Sequence, residues 1–189
     1  MNVEPTASIG YWLFYAQRCV SYAFTEVLRD YCDEQGKSYT VTPPQWGVIA
    51  LLYGHNGLTI GTISHKRGID APTVTGIIKR LEQSGLVERR HDREDRRVVK
   101  VFLTSEGQSI MNGLMPVVEK FNDVILRNLS QGEQQTFLKN LQQIIINITD
   151  VAEGTGDRFG LIPVVERTSD CYGLTPKHLN FERHEDTDA

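Results

Sequence analysis

Cysteine is scarce in this sequence, with three in 189 residues: Cys19, Cys32 and Cys171. An odd number without C-x-x-C or Cys/His spacing excludes a disulfide framework and the usual zinc motifs. It also fits a reducing, cytoplasmic compartment. Long apolar runs are missing too. Nothing approaches the ~18 consecutive apolar residues of a membrane span, so no membrane association is expected. The opening MNVEPTASIG carries Glu4 and has no basic flank, which argues against a signal peptide. Also absent are G-x-S-x-G, the P-loop, H-E-x-x-H and the dinucleotide fingerprint. Cys171, His178 and the scattered carboxylates make no catalytic pattern, so neither an enzyme nor a bound cofactor or metal is expected.

What is present is the composition of a globular protein, 40% apolar and 23% charged, long enough for one domain with a sizeable core. Its net charge of −4 hides an asymmetry. Residues 64–100 hold ten Lys/Arg against six Asp/Glu, whereas the remainder holds ten against eighteen. An acidic body with one basic segment has a surface suited to a polyanion and a remainder that the same polyanion repels.

Periodicity supplies the elements. Ile9, Trp12, Leu13, Ala16, Val20, Ala23, Phe24, Val27, Leu28 and Tyr31 recur at helical spacing. Tyr11, Phe14 or Tyr15, Arg18 and Tyr22 form a second stripe, and a helix apolar on two faces needs packing on both. Thr42-Pro43-Pro44-Gln45 opens a second helix with an N-cap, a proline at the first position and a capping box. Gly54-His55-Asn56-Gly57 closes it. A short third helix begins at Thr59 and ends at Gly68. Asp70 caps a fourth, in which Val74, Ile77, Ile78 and Leu81 are the buried stripe and Gly85 is the left-handed stop. From Leu86 the period becomes two: LVERRH and VVKVFLT bracket a charged tip, HDREDRR at 91–97, as a β-hairpin. A long helix then runs from Thr104 to Leu129, with Pro116 as a kink point. Another, opened by the capping box of Ser130 and Glu133, runs to Ile148. From residue 150 onward nine acidic residues face four basic ones around the islands FGLIPVV and CYGL. An acidic, mostly irregular tail over 151–189 is expected.

Helix, helix, short turn, helix and hairpin over residues 42–103 is the order of a winged helix-turn-helix. In that motif one helix crosses the DNA backbone and the next enters the major groove. Here the latter begins at Asp70 and presents Thr73, Thr75, Gly76, Lys79 and Arg80 outward. Threonine can meet a phosphate, a base edge or a thymine methyl, the cations can read guanine or clamp phosphate, and Gly76 permits close approach. The stretches DAPTVTGIIKRLEQSGLVERR, DREDRR and LTSEG resemble the MarR family of bacterial transcriptional regulators, and the order of elements agrees over residues 9–148. That resemblance implies a wing that places an arginine in a narrow, negative minor groove, Arg96 or Arg97 being the probe and Arg93 a further DNA-binding residue. Asp92, Glu94 and Asp95 would neutralise and orient the arginines, Asp95 being paired with Arg97. Glu94 stands where many relatives carry arginine.

The expected fold is therefore mainly α: a winged helix-turn-helix lobe over 41–103, and a helical dimerisation region over 1–40 and 104–150 that forms an intertwined homodimer. Such a dimer would bind a pseudo-palindromic operator in double-stranded DNA. Tyr11, Tyr15, Arg18 and Tyr22, with Trp12 close by, place a guanidinium among flat apolar walls, a setting for a small aromatic carboxylate. Trp46 resembles a tryptophan that lines the effector pocket of relatives responding to hydroxyphenyl-type acids; the acid and arginine often near it are replaced here by Pro43 and Ala50. The function read from this is a repressor released by an aromatic acid or its thioester. Alternatives are a peroxide-responsive regulator using Cys19, as in some relatives, and a constitutive architectural DNA-binding protein. His55 and His65 read as helix-end residues, and Arg89 and Arg90 as contacts to phosphate or to a ligand from below.

Overall fold

A computed structural model describes residues 8–154; the expected tail, with Cys171 and His178, lies outside the described residues from 155 onward. The elements in chain order are α1 (Ile9–Glu34), α2 (Pro43–Gly54), β1 (Leu58–Thr59), α3 (Ile60–Arg67), α4 (Ala71–Gln83), β2 (Val87–His91), β3 (Val99–Leu103), α5 (Ser105–Ile125) and α6 (Gln131–Gly154). The strands form one antiparallel sheet in the order β1-β3-β2, with Val87 opposite Leu103 and His91 opposite Val99. No helix among the described residues is long and apolar enough to cross a membrane.

The middle of the fold is α2, whose residues 45–52 are all buried. Gln45 caps it, its side-chain oxygen accepting from the Thr42 amide at 2.8 Å. Around α2 pack Leu28 and Cys32 of α1, Ile63 of α3, the Val74, Ile78 and Leu81 stripe of α4, Val101 of β3, and Ile110, Met111 and Leu114 of α5. Each helix buries one stripe against a helix that has no exposed face. That arrangement makes the lobe a single core rather than a row of helices.

Three elements differ from expectation. The strand β1 is too short to show a period; Gly57, at φ 85°, and Asn56 make it, donating to Val101 O at 3.1 Å and accepting from the Leu103 amide at 2.9 Å. The fifth helix ends at Ile125 rather than Leu129, because Asn128 adopts a left-handed conformation at φ 69°. Pro116 falls within α5, which continues through it. The helix α6 extends through Gly154, four residues into the stretch read as tail.

Packing of α1 on both faces is not found within one chain. Its second half is anchored by Leu28 and Cys32, but Ile9, Trp12, Phe14, Val20 and Tyr22 in the first half are exposed. Likewise none of residues 131–148 of α6 is buried. Much of the apolar surface that sequence periodicity marks as core there is left exposed.

One junction ties the halves together. Gly85, at φ 69°, ends α4 so that the Leu86 amide donates to Leu81 O at 2.9 Å. The Leu86 carbonyl accepts from the Thr104 amide at 3.1 Å, and the Thr104 hydroxyl donates to Gly85 O at 2.6 Å. The same hydroxyl accepts from the Gly107 amide at 3.0 Å, so one threonine both caps α5 and holds the end of α4. A Cβ at Gly107 would lie 2.1 Å from Leu86 O. Gly107→Ala is therefore expected to lower stability by about 1–3 kcal/mol through forced separation of the backbones. Gly132→Ala, where nothing lies within 4 Å of the added carbon, is expected to be neutral or slightly stabilising. Urea midpoints compare the two; equal values would mean that the junction tolerates a methyl group.

Candidate nucleic-acid interface

The fourth helix divides sharply. Val74, Ile77, Ile78 and Leu81 are buried, while Thr73, Thr75, Gly76, Lys79 and Arg80 are all exposed on the outer face. Asp70 caps the helix, accepting from the Thr73 amide at 2.9 Å; hydrogen bonds from the Thr73 side chain and then its amide hold the Asp70 carboxyl below its ordinary range. Thr75 donates its hydroxyl back to Ala71 O at 2.8 Å, which uses up its donor and leaves an acceptor oxygen and a methyl group for an outside partner. No atom lies within 4 Å of a Cβ built on Gly76, so this face is open.

The wing tip is shaped differently from the expectation of paired arginines. One Asp92 oxygen accepts from the amides of Glu94 at 2.9 Å and Asp95 at 3.1 Å; the other meets Lys100 Nζ at 2.5 Å. Asp95 does bind Arg97, but through the Arg97 amide at 2.9 Å and not its guanidinium. The Asp95 carbonyl accepts from Val98 N–H at 2.9 Å, and His91 Nδ1 lies 2.8 Å from Arg96 O. Carboxylates thus fold the loop by capping its amides, a local option that aspartate takes more cheaply than pairing a long, mobile arginine. Lys100, which sequence reading missed, is the cation they hold; the signal available was the hairpin register, which sets Arg90 opposite Lys100.

Two further acids of the basic segment hold cations on the strand β2. Glu82 pairs with Arg89 at 3.4 Å, and Glu88 with Arg90, whose guanidinium also lies 5.1 Å from the centre of the Phe102 ring. Among the described residues Lys79, Arg80, Arg93, Arg96 and Arg97 make no ion pair. Anchored cations therefore lie on the strands, and open ones on the outer face of α4 and the wing tip.

A second surface lies on the first half of α1. Tyr15, Gln17, Arg18, Cys19, Ser21, Tyr22 and Thr25 line an open groove of about 550 Å³. Arg18 makes no ion pair or hydrogen bond among the described residues. Tyr11 and Trp12 are not in this groove. Tyr11 stacks on Tyr15 at 6.1 Å, and Trp12 sits edge-on to both rings. Trp46 is also elsewhere: at 4% exposure it belongs to the core, edge-on to Phe24, which stacks on Phe121 of α5 at 5.2 Å. Sequence spacing could not show this, because α2 is apolar all round and gives no cue to which neighbour each side chain meets. Cys19 is exposed in the groove, whereas Cys32 is buried and its thiol pushed up by that burial.

An outward polar helix held on a buried helix pair and flanked by a cationic hairpin defines the winged helix-turn-helix class of DNA-binding proteins. The family model described as MarR matches residues 41–99. The HTH-type transcriptional regulator YsmB of Bacillus subtilis (strain 168) is 32% identical over 56% of this chain and 73% of its own length. FarR of Neisseria gonorrhoeae, also an HTH-type transcriptional regulator, is 31% identical over 76% of this chain and 92% of its own. Among solved structures, Bordetella bronchiseptica BpsR, whose DNA binding is regulated by 6-hydroxynicotinic acid, has 25% identity and a TM-score of 0.62 over 72% of this chain and 97% of that one. The chain belongs to the MarR family and is a DNA-binding transcriptional regulator.

The wing's shape carries a pH dependence. The Lys100 ammonium, then the Asp95 and Glu94 amides, pull the Asp92 carboxyl down to about 2 from an ordinary 3.8. A depressed carboxyl stabilises the folded loop fully above its unfolded value and loses that contribution as pH falls through the folded one. The wing should keep its form above about pH 4 and loosen between about pH 4 and pH 2, read from the Glu94 and Asp95 amide resonances. Asp92→Asn should loosen it already at neutral pH; unchanged resonances in that variant would show that Asp92 does not shape the tip.

Proposed function

We propose that this regulator works as a symmetric homodimer that represses transcription and is released from its operator by a small aromatic carboxylate. The observation that carries the DNA half is the division of charge, with internal acids holding the strand cations and the cations of α4 and the wing left open. In this reading Thr73, Thr75, Lys79 and Arg80 meet base edges and phosphates in the major groove, with Gly76 at the point of closest approach. Arg93, Arg96 and Arg97 extend the wing towards the minor groove. Asp92 and Asp95 set the shape of that wing.

Dimerisation follows from the apolar stripes left uncovered on the first half of α1 and along α6. A stripe of that size in water is unstable unless it is buried, and a second copy offers the matching stripes under a two-fold axis. The helical region over 1–40 and 104–150 is then the dimerisation unit and 41–103 the DNA-binding lobe. Two such lobes would reach half-sites one helical turn apart, roughly 34–36 Å.

The effector half rests on the groove of α1. Arg18 lies there, with no ion pair or hydrogen bond among the described residues, beside Tyr15 and Tyr22. The likeness to BpsR, which responds to an aromatic acid, points the same way. Tyr11, Trp12 and Trp46 enter indirectly in this account: the first two brace Tyr15, and Trp46 receives the motion of α1 through Phe24. A ligand preferring the non-binding arrangement by ~100-fold would weaken DNA binding by up to ~2.7 kcal/mol.

Two outcomes are expected from fluorescence anisotropy on the DNA upstream of this protein's own gene. Arg97→Ala should weaken binding and reduce the slope of log K against log salt by about one per subunit. An unaltered affinity and slope would remove the wing from the interface. In a panel of benzoates, phenylacetates, cinnamates, hydroxynicotinates and their thioesters, one acid should release the DNA, and Arg18→Ala should abolish release while leaving DNA affinity intact. Tight binding indifferent to every compound would overturn the aromatic-acid reading.

A further inference from the structure

The open cationic face poses a question about the protein when no DNA is bound. Five cations, Lys79, Arg80, Arg93, Arg96 and Arg97, stand on it without a counter-charge among the described residues, in a chain that is acidic overall. Within their own segment five of the six acids are engaged, Asp70 as a cap and Glu82, Glu88, Asp92 and Asp95 as shown above. The densest acid elsewhere is ERHEDTD at residues 182–188, which holds four carboxylates in seven positions.

We infer that residues 182–188 occupy the face of α4 and the wing when DNA is absent, on their own or the partner subunit, and give it up to DNA. Charge complementarity and density select this occupant: the apolar islands nearer α6 offer nothing to arginine, Glu106 and Glu26 are held by Lys37 and Arg29, and the remaining acids of the helical region nowhere reach the four in seven positions of 182–188. Reach is sufficient. The 28 residues from Gly154 to Glu182 span up to about 95 Å, against about 36 Å for the whole of α6.

The physics also sets what such a contact would do. Exposed ion pairs are individually weak and screened by salt, so seven residues cannot hold the face against a polymer with a charge about every 1.7 Å. Occupancy lowers operator and nonspecific affinity by the same factor, the fraction of protein left open. Their ratio is unchanged, but stray binding to bulk DNA is thinned while the tighter operator complex persists.

The test uses the full chain. The variant E182Q/E185Q/D186N/D188N should bind the upstream DNA roughly threefold or more tightly at low salt, the gain shrinking as salt rises. A matched variant neutralised on the helical region, D30N/E34Q/E119Q/D123N, should gain distinctly less; an equal gain would reduce the effect to net charge and overturn the inference. Independently of DNA affinity, carbodiimide treatment of the DNA-free protein should join Lys79 to a carboxylate of 182–188, and DNA should suppress that product. Absence of the Lys79 product, or its persistence with DNA bound, would also overturn the inference. If no variant bound DNA, the reading of the DNA face would fail, and the cross-link would still decide this one.

Discussion

The carbonyl of Leu86 is the contact on which the rest of this molecule turns. It sits one residue beyond the left-handed glycine that ends α4, and it accepts the Thr104 amide from the residue that caps α5. No side chain can stand between the two backbones, which is why glycine is found at 107. The end of the outward-facing helix is thereby fixed to the start of the long helix. Bonds this short between backbones bend little, so a shift of α5 moves α4 with it.

A second tie runs from the loop before α2. Lys37 and Tyr39 both reach Glu106 in the first turn of α5, at 2.7 and 2.8 Å, and together hold its carboxyl below the ordinary range. Burial and that carboxylate raise the Tyr39 hydroxyl. Phe24 adds an apolar link by touching Trp46 of α2 and Phe121 of α5. Motion of α1 therefore has a packed route to α2 and α5, and through the Leu86 junction to α4. The interior gives way in discrete repackings rather than smoothly, as dense cores do.

Charge is handled by short-range geometry. Aspartates at 70, 92 and 95 cap amides, and longer side chains at 82 and 88 hold arginines on the strand. In water each surface pair contributes little, but each acid so engaged no longer competes for the cations beside it. Among the described residues the MarR wing in this chain is thus an amide-capped loop whose Arg93, Arg96 and Arg97 make no ion pair, not a set of arginine–carboxylate pairs.

Much of this was legible beforehand because it depends on neighbours in the chain. Caps at Thr42, Asp70 and Ser130, the glycine stop at 85 and the hairpin around 91–97 follow from local hydrogen bonding and from periods of 3.6 and 2. The face of α4 was readable too, since a helix with one apolar stripe has only one way to turn. Other features had no local signature. The strand β1 is two residues long, Trp46 lies on a helix apolar all round, and the partner of Asp92 is eight positions away across a hairpin. By itself the sequence determined the elements, their inward stripes and the basic segment, because those are set within one or two turns of chain. Only the tertiary structure decided which cations stay open, where Arg18 and Trp46 part company and which stripes remain uncovered, because each depends on distant segments competing for the same atoms.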